Sequence, residues 1–172
     1  MVGGDKSAYE FVKPILDSLA KPYGGHEYFG EGGAGHFVKM VHNGIEYGQM
    51  QAISEGFGVL DKAPYNFDLV KIAKLYQKGT LVSGFFMDRS VELLEQDPKL
   101  TRIVGEIGSA TGETVWMIKQ ANAEDVPVEN IQQALNFRKR SQTDTKIQKS
   151  FAARMVAGIR YVFGGHEIKK RD

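Results

Sequence analysis

Apolar residues recur along this chain at intervals of three and four, the spacing that places one stripe of an α-helix on a single side. Residues 6–20 carry Ala8, Phe11, Val12, Ile15, Leu16 and Leu19 in that register. They predict an amphipathic helix, stopped by Pro22 and the Gly24-Gly25 pair. The same spacing predicts a long helix over residues 36–60, then helices over 67–77, 80–96, 100–107, 113–123, 128–140 and 143–163. Breakers separate them: a proline within 61–66, a run of small residues over 105–112, and Gly164-Gly165 after the last helix. Residues 26–29 allow one short strand, and residues 30–35 read as a glycine-rich turn. No internal repeat or low-complexity tract interrupts the pattern, which predicts an all-α domain centred on the long helix.

Composition narrows the function classes. A chain of 172 residues with 42% hydrophobic and 25% charged residues reads as one soluble domain, or one domain and a piece of another. A formal net charge of +1 gives no global field to draw it to nucleic acid or a membrane surface. No apolar run approaches the roughly 20 residues of a membrane helix, and the N-terminus has no basic start followed by an apolar stretch. Cysteine is absent, so disulfides and thiolate metal sites are excluded. The expectation is a cytoplasmic protein without nucleic-acid or membrane partners.

The chemistry concentrates in residues 35–51. At about 100° per residue, Lys39, His42, Asn43, Glu46 and Tyr47 share one helix face spanning roughly 140°. Val38, Val41, Ile45, Gly48 and Ala52 fall opposite and read as the buried stripe. A solvated face is usually repetitive Glu, Lys and Gln; this one carries an amine, an imidazole, an amide, a carboxylate and a phenol. Gly44 and Gly48, each costing about 1 kcal/mol in a helix interior, signal close packing. Spacing alone leaves three readings open: a solvated face, a ligand site, and a metal site on His42 and Glu46, the last weakened by the lack of a third ligand.

The 35–48 string strongly resembles the substrate-binding helix of decarboxylating 6-phosphogluconate dehydrogenases, almost residue for residue. Residues 1–4 resemble the end of that family's nucleotide-binding domain. The run from Val126-Pro127-Val128 to Arg138 resembles a later helix, and Arg160-Tyr161-Val162-Phe163-Gly164-Gly165-His166 the C-terminal tail. The length fits the short form of the family. The resemblance implies a remnant of the Rossmann domain over 1–30 and a helical substrate-binding and dimerisation domain over 31–172. It implies oxidation of 6-phosphogluconate at C3 by NAD or NADP, loss of CO2 and release of ribulose 5-phosphate. Lys39 takes the position of the general base and Glu46 that of the acid. His42 and Asn43 take sugar-binding positions, with Asn43 also facing the cofactor; Tyr47 and Arg138 take phosphate-binding positions. Arg160 and His166 match tail residues that reach a neighbouring subunit, so a homodimer with shared sites is implied. Val41, Ile45, Ile53, Leu75, Phe85, Trp116, Leu135 and Ile159 are then expected in the core or the dimer interface.

Two departures stand out. Where the family has a basic residue and a threonine flanking its tryptophan, this chain has Val115 and Met117 around Trp116. Neither can bind a phosphate, so a related sugar acid is an alternative substrate. No dinucleotide-binding fingerprint follows a strand, so the chain alone is not expected to bind NAD or NADP tightly. A non-catalytic dimerising or sugar-acid-binding module is the other alternative.

Overall fold

The computed structural model describes residues 1–22 and 24–170. Arg171 and Asp172, inside the domain expected over 31–172, lie outside the described residues. The fold is all-α, as the spacing predicts: α1 (Lys6–Leu19), α2 (Ala34–Lys62), α3 (Leu69–Gln77), α4 (Phe85–Gln96), α5 (Glu113–Ala123), α6 (Glu129–Ser141), α7 (Thr145–Gln148) and α8 (Phe151–Gly164). Local chemistry sets most starts. Asp5, Asp68, Asp144 and Ser150 each accept a backbone N–H of the first turn, satisfying donors that a helix leaves unpaired.

The centre is α2, 29 residues long, or about 43 Å at 1.5 Å per residue. Helices α3, α4, α5, α6 and α8 all pack against it. Its glycine at 44 is where α5 and α6 approach: a Cβ there would lie 2.9 Å from the Met117 sulfur and 3.5 Å from Ile131. The main core joins Met50 and Phe57 of α2 to Met87, Val91 and Leu94 of α4 and to Phe151, Met155 and Ile159 of α8. Before α2, Val2 pairs in parallel with Tyr28 across α1. The strand expected at 26–29 is therefore a single bridge. Gly3 and Gly35 cross so closely that a Cβ on either would sit 2.5 Å from the other's backbone nitrogen.

The buried stripe of α2 is not the expected one. Gly44, Met50, Gln51, Ser54 and Phe57 face inward, whereas Ile45 and Ala52 are exposed and Val38, Val41 and Gly48 half-buried. In helical angle the observed stripe is centred roughly 150° from the expected one. The core claims the side that carries Tyr47: Arg138 of α6 pairs with its hydroxyl, and apolar residues of α4 and α8 pack on Met50 and Phe57 beyond it.

Three further corrections follow. Residues 100–107 are not helical. Burial alternates over Ile103, Gly105 and Ile107, the two-residue period of extended chain. Their backbone N–H groups bond to distant acceptors: Val104 to Lys169 O, Gly105 to Gln148 O and Ile107 to Ser141 Oγ. The helix expected over 143–163 is two helices, because Ser150 is extended and caps a new start. The helix expected from 80 begins at Phe85, since Gly84 at φ 133° ends the preceding turn. Among the expected core residues, Leu135 and Ile159 are buried and Val41 and Ile53 half-buried. Ile45, Leu75, Phe85 and Trp116 are exposed in the single chain.

Candidate active site

The five-residue face of α2 divides into two groups. At its N-terminal end, Glu46 Oε1 lies 2.7 Å from His42 Nδ1 and 3.5 Å from Lys39 Nζ, and Lys39 Nζ lies 3.2 Å from His42 Nδ1. One imidazole nitrogen thus faces both an amine and a carboxylate. It can accept from the amine or donate to the carboxylate, but not both at once. Lys39 and His42 are about half-exposed, with 50% and 48% of their side chains accessible, against 24% for Glu46. Lys39 borders a cleft of about 590 Å³ with His36, Glu113, Trp116 and Lys119. His42 and Glu46 border a second groove of about 810 Å³ with Ile45, Leu81, Phe85 and Phe163. The three groups therefore stand on a ridge between two openings, with Asn43 half-buried beside them.

One turn further on, Tyr47 meets Arg138 of α6. The guanidinium donates to the Tyr47 hydroxyl and stacks 3.8 Å from its ring centroid. Arg138 is buried, with 4% exposure. Burial first, then the neighbouring Arg160, pushes its guanidinium down to about 10, against the opposing pull of Tyr47. Arg160 of α8 is also held below its ordinary value by burial. His166 is depressed by burial and by the charges of Arg160 and Arg138. Its ring packs edge-on to Phe163 at 5.9 Å and folds over Gly164, where a Cβ would be 2.9 Å from it. Tyr47, Arg138 and Arg160, with the exposed His166 beside them, thus form a cationic cluster. Among the described residues no group of three or more metal-ligating side chains forms, so the metal reading of His42 and Glu46 gains no third ligand.

Residues 35–159 match the family model for the 6-phosphogluconate dehydrogenase C-terminal domain. This chain belongs to that family. It is 39% identical over 171 residues to the Bacillus subtilis (strain 168) protein YqeC, which carries a provisional 6-phosphogluconate dehydrogenase name; the match covers 99% of this chain and 56% of the relative. It is 36% identical to the NAD(+)-dependent, decarboxylating 6-phosphogluconate dehydrogenase of Haloferax volcanii, over 100% of this chain and 56% of that protein. Against the decarboxylating enzyme of Schizosaccharomyces pombe it is 31% identical, over 100% of this chain and 36% of that protein. The chain spans about half the length, or less, of these relatives.

Within this family member, Val115 is half-buried, and Met117 packs its sulfur against Gly44 rather than presenting a polar atom. The neighbouring Thr114 hydroxyl is buried without a hydrogen-bond partner. Sequence reading singled out the α2 residues and the arginines. It missed the backbone that seats Arg160: the guanidinium donates to the Ile107 carbonyl, in the stretch read as helix and flexible run. The only local signal was a glycine at 108.

Proposed function

We propose that this chain is the substrate-handling part of an oxidoreductase that oxidatively decarboxylates 6-phosphogluconate to ribulose 5-phosphate, in a cytoplasmic setting. The observation that carries the reading is the order of groups along α2. Lys39, His42 and Glu46 lie within 3.5 Å of one another, and the next residue, Tyr47, meets the buried Arg138. From Lys39 to Tyr47 the helix rises about 12 Å, a length suited to a six-carbon acid with a terminal phosphate.

In this reading Lys39 accepts the C3 hydroxyl proton as that carbon is oxidised, and the resulting β-keto acid loses its carboxyl as CO2. Glu46 delivers a proton to C1 of the enediol, and His42 relays charge between them. Arg138, Arg160 and His166 hold the phosphate, with Tyr47 fixing Arg138. Asn43, whose amide both donates and accepts, is suited to bind the sugar and to meet a nicotinamide carboxamide. When bound, NAD or NADP accepts the hydride from C3. The water exclusion that a base and an acid of these roles need is not supplied by this half-exposed ridge alone. Residues 1–30, with their parallel Val2–Tyr28 pair and the exposed Phe11, Ile15 and Leu19 of α1, suit the closing segment of a nucleotide-binding domain. The apolar stripe left open on α2 at Ile45 and Val59, with Leu81 and Phe85 beside it, suits a second copy in a homodimer.

One observation favours a second substrate. Val115 and Met117 add no charge to the cluster, which fits a related sugar acid with a weaker anionic end. Calorimetry of the chain with 6-phosphogluconate and with gluconate separates the readings. Binding of 6-phosphogluconate that is lost in a Lys39→Ala, Arg138→Ala variant supports the first. Preference for gluconate supports the second. Binding unaffected by the double substitution would overturn both.

A further inference from the structure

Arg138 and Arg160 come from different helices, and two guanidinium groups do not stay together unaided. The structure shows what holds them. The extended chain at 107–108 runs between α6 and α8 and bonds to each. On one side the Ile107 N–H donates to Ser141 Oγ at 3.1 Å, and that hydroxyl donates to the Arg138 carbonyl at 2.6 Å. Ser141 and Ile107 are both buried. On the other side the Ile107 carbonyl accepts from Arg160 Nη1. The Gly108 carbonyl is pinned in turn by Gln142 Nε2.

Gly108 has two reasons to be glycine. Its φ is +75°, in the left-handed region, and a Cβ there would lie 2.9 Å from Arg160 Nη1. The guanidinium lies over the bare α-carbon, so the seat exists only while that position has no side chain.

We propose that Gly108 is a positioning residue, which sets the Arg160 guanidinium beside Arg138 as a preformed clamp for the anionic end of the substrate. The clamp's use rests on the function proposed above; the seating of Arg160 does not. Preformation matters because a charged group fixed in advance loses less freedom when its ligand arrives.

The test uses His166, which senses both arginines, as a reporter in the ligand-free chain. Its ring is titrated by NMR and assigned with His166→Gln. Arg160→Ala should move its pKa upward. Gly108→Ala should move it the same way by at least half as much. Gly79→Ala is the control, because Gly79 has φ +74° and nothing within 4 Å of a built Cβ; it carries the backbone strain alone and should leave His166 unmoved. Should Gly108→Ala not fold, Gln142→Ala loosens the same seat without adding bulk and should also shift His166 upward. An unmoved His166 in every folded seat variant, with Arg160→Ala shifted, overturns the positioning role. Affinity for 6-phosphogluconate then tests the clamp. Gly108→Ala should weaken it about tenfold, and by less than about twofold when Arg160 is already alanine, the non-additivity of groups acting as one. Equal losses in both backgrounds overturn the inference while leaving the arginine site intact. Unchanged affinity in Arg160→Ala overturns the reading of the cluster itself.

Discussion

Replacing Arg138 with methionine should make this chain more stable and remove its grip on anions. Arg138 is 4% exposed and sits near Arg160, and these two effects bring its pKa well below the ordinary guanidinium range, to about 10. At 1.36 kcal/mol per unit, the drop places about 3 kcal/mol of destabilisation on keeping this guanidinium charged in the fold. The sign follows from proton binding. The folded state holds this proton less tightly than the unfolded state, so the penalty is complete below pH 10 and fades only as pH climbs toward the unfolded value. At pH 7 it is present in full. Methionine keeps an unbranched apolar stem and discards the charged group that stacks on Tyr47; exchanging buried charges for apolar groups of similar volume is often neutral or stabilising. Part of the gain is offset because the Tyr47 hydroxyl loses its donor. A net gain of about 1–3 kcal/mol remains, which for a chain of this size raises Tm by roughly 2–4 °C per kcal/mol. Thermal unfolding followed by circular dichroism at pH 7 measures it. Millimolar phosphate should raise Tm in the wild-type chain and leave Arg138→Met unmoved, because a ligand stabilises only the state that binds it. A lower Tm in Arg138→Met, without phosphate, would refute the reasoning: Arg138 would then be a structural cation whose pairing with Tyr47 outweighs its burial.

Three other perturbations test separate parts of the structure. His166 lies below its ordinary pKa, and a bound anion should raise it, so binding takes up a proton; phosphate-ester affinity should rise as pH falls through 6.5, relative to His166→Gln in a parallel titration by calorimetry. Val115→Arg adds a cation where this chain has a half-buried valine and should tighten 6-phosphogluconate about tenfold while leaving gluconate unchanged; equal effects on both ligands would show that Val115 does not face the phosphate end. Gly158→Ala gains about 1 kcal/mol of helix propensity but puts a Cβ 2.6 Å from Leu93 Cδ2. Denaturant titration should show a net loss of about 1 kcal/mol or more from overpacking.

The long helix was legible because nothing competes with it: residues 36–60 hold apolar positions in helical register without a proline, and α2 occupies Ala34–Lys62. Residues 100–107 were misread for a definite reason. Leu100, Ile103, Val104 and Ile107 fit helical spacing, while Ile103, Gly105 and Ile107 fit alternation equally well. The decision falls to partners far along the chain. Gln148 and Lys169 accept the N–H groups of Gly105 and Val104, and Gly105 lies so near α8 that a Cβ would meet Ala153 at 2.8 Å. Local periodicity contains none of that. Trp116, Phe85 and Leu75 show the same limit from the other side. Bulk marks them as residues to be covered, and the single chain leaves them exposed.

The site was legible where its residues share a helix and obscure where they do not. Angular arithmetic put Lys39, His42, Glu46 and Tyr47 on one face, and three of them fall within 3.5 Å of one another. The same arithmetic assigned the core to the opposite stripe, on the premise that polar groups face water. That premise fails here because α2 passes from solvent into the core along its polar face. Exposure falls from half of the Lys39 side chain to a quarter of Glu46, and Ser54 two turns beyond Tyr47 is fully buried. In the proposed function, the groups that exchange protons, Lys39, His42 and Glu46, stand at the more exposed end. In the same proposal the anion meets Tyr47 where α6 brings the buried Arg138 against it, a setting in which each hydrogen bond is electrostatically stronger. A stable protein would not place Arg138 beside Arg160 in a buried position for its own sake, since burial and like charge both oppose it. In the proposed function a bound anion would relieve that opposition, which is why Arg138→Met is expected to separate stability from binding.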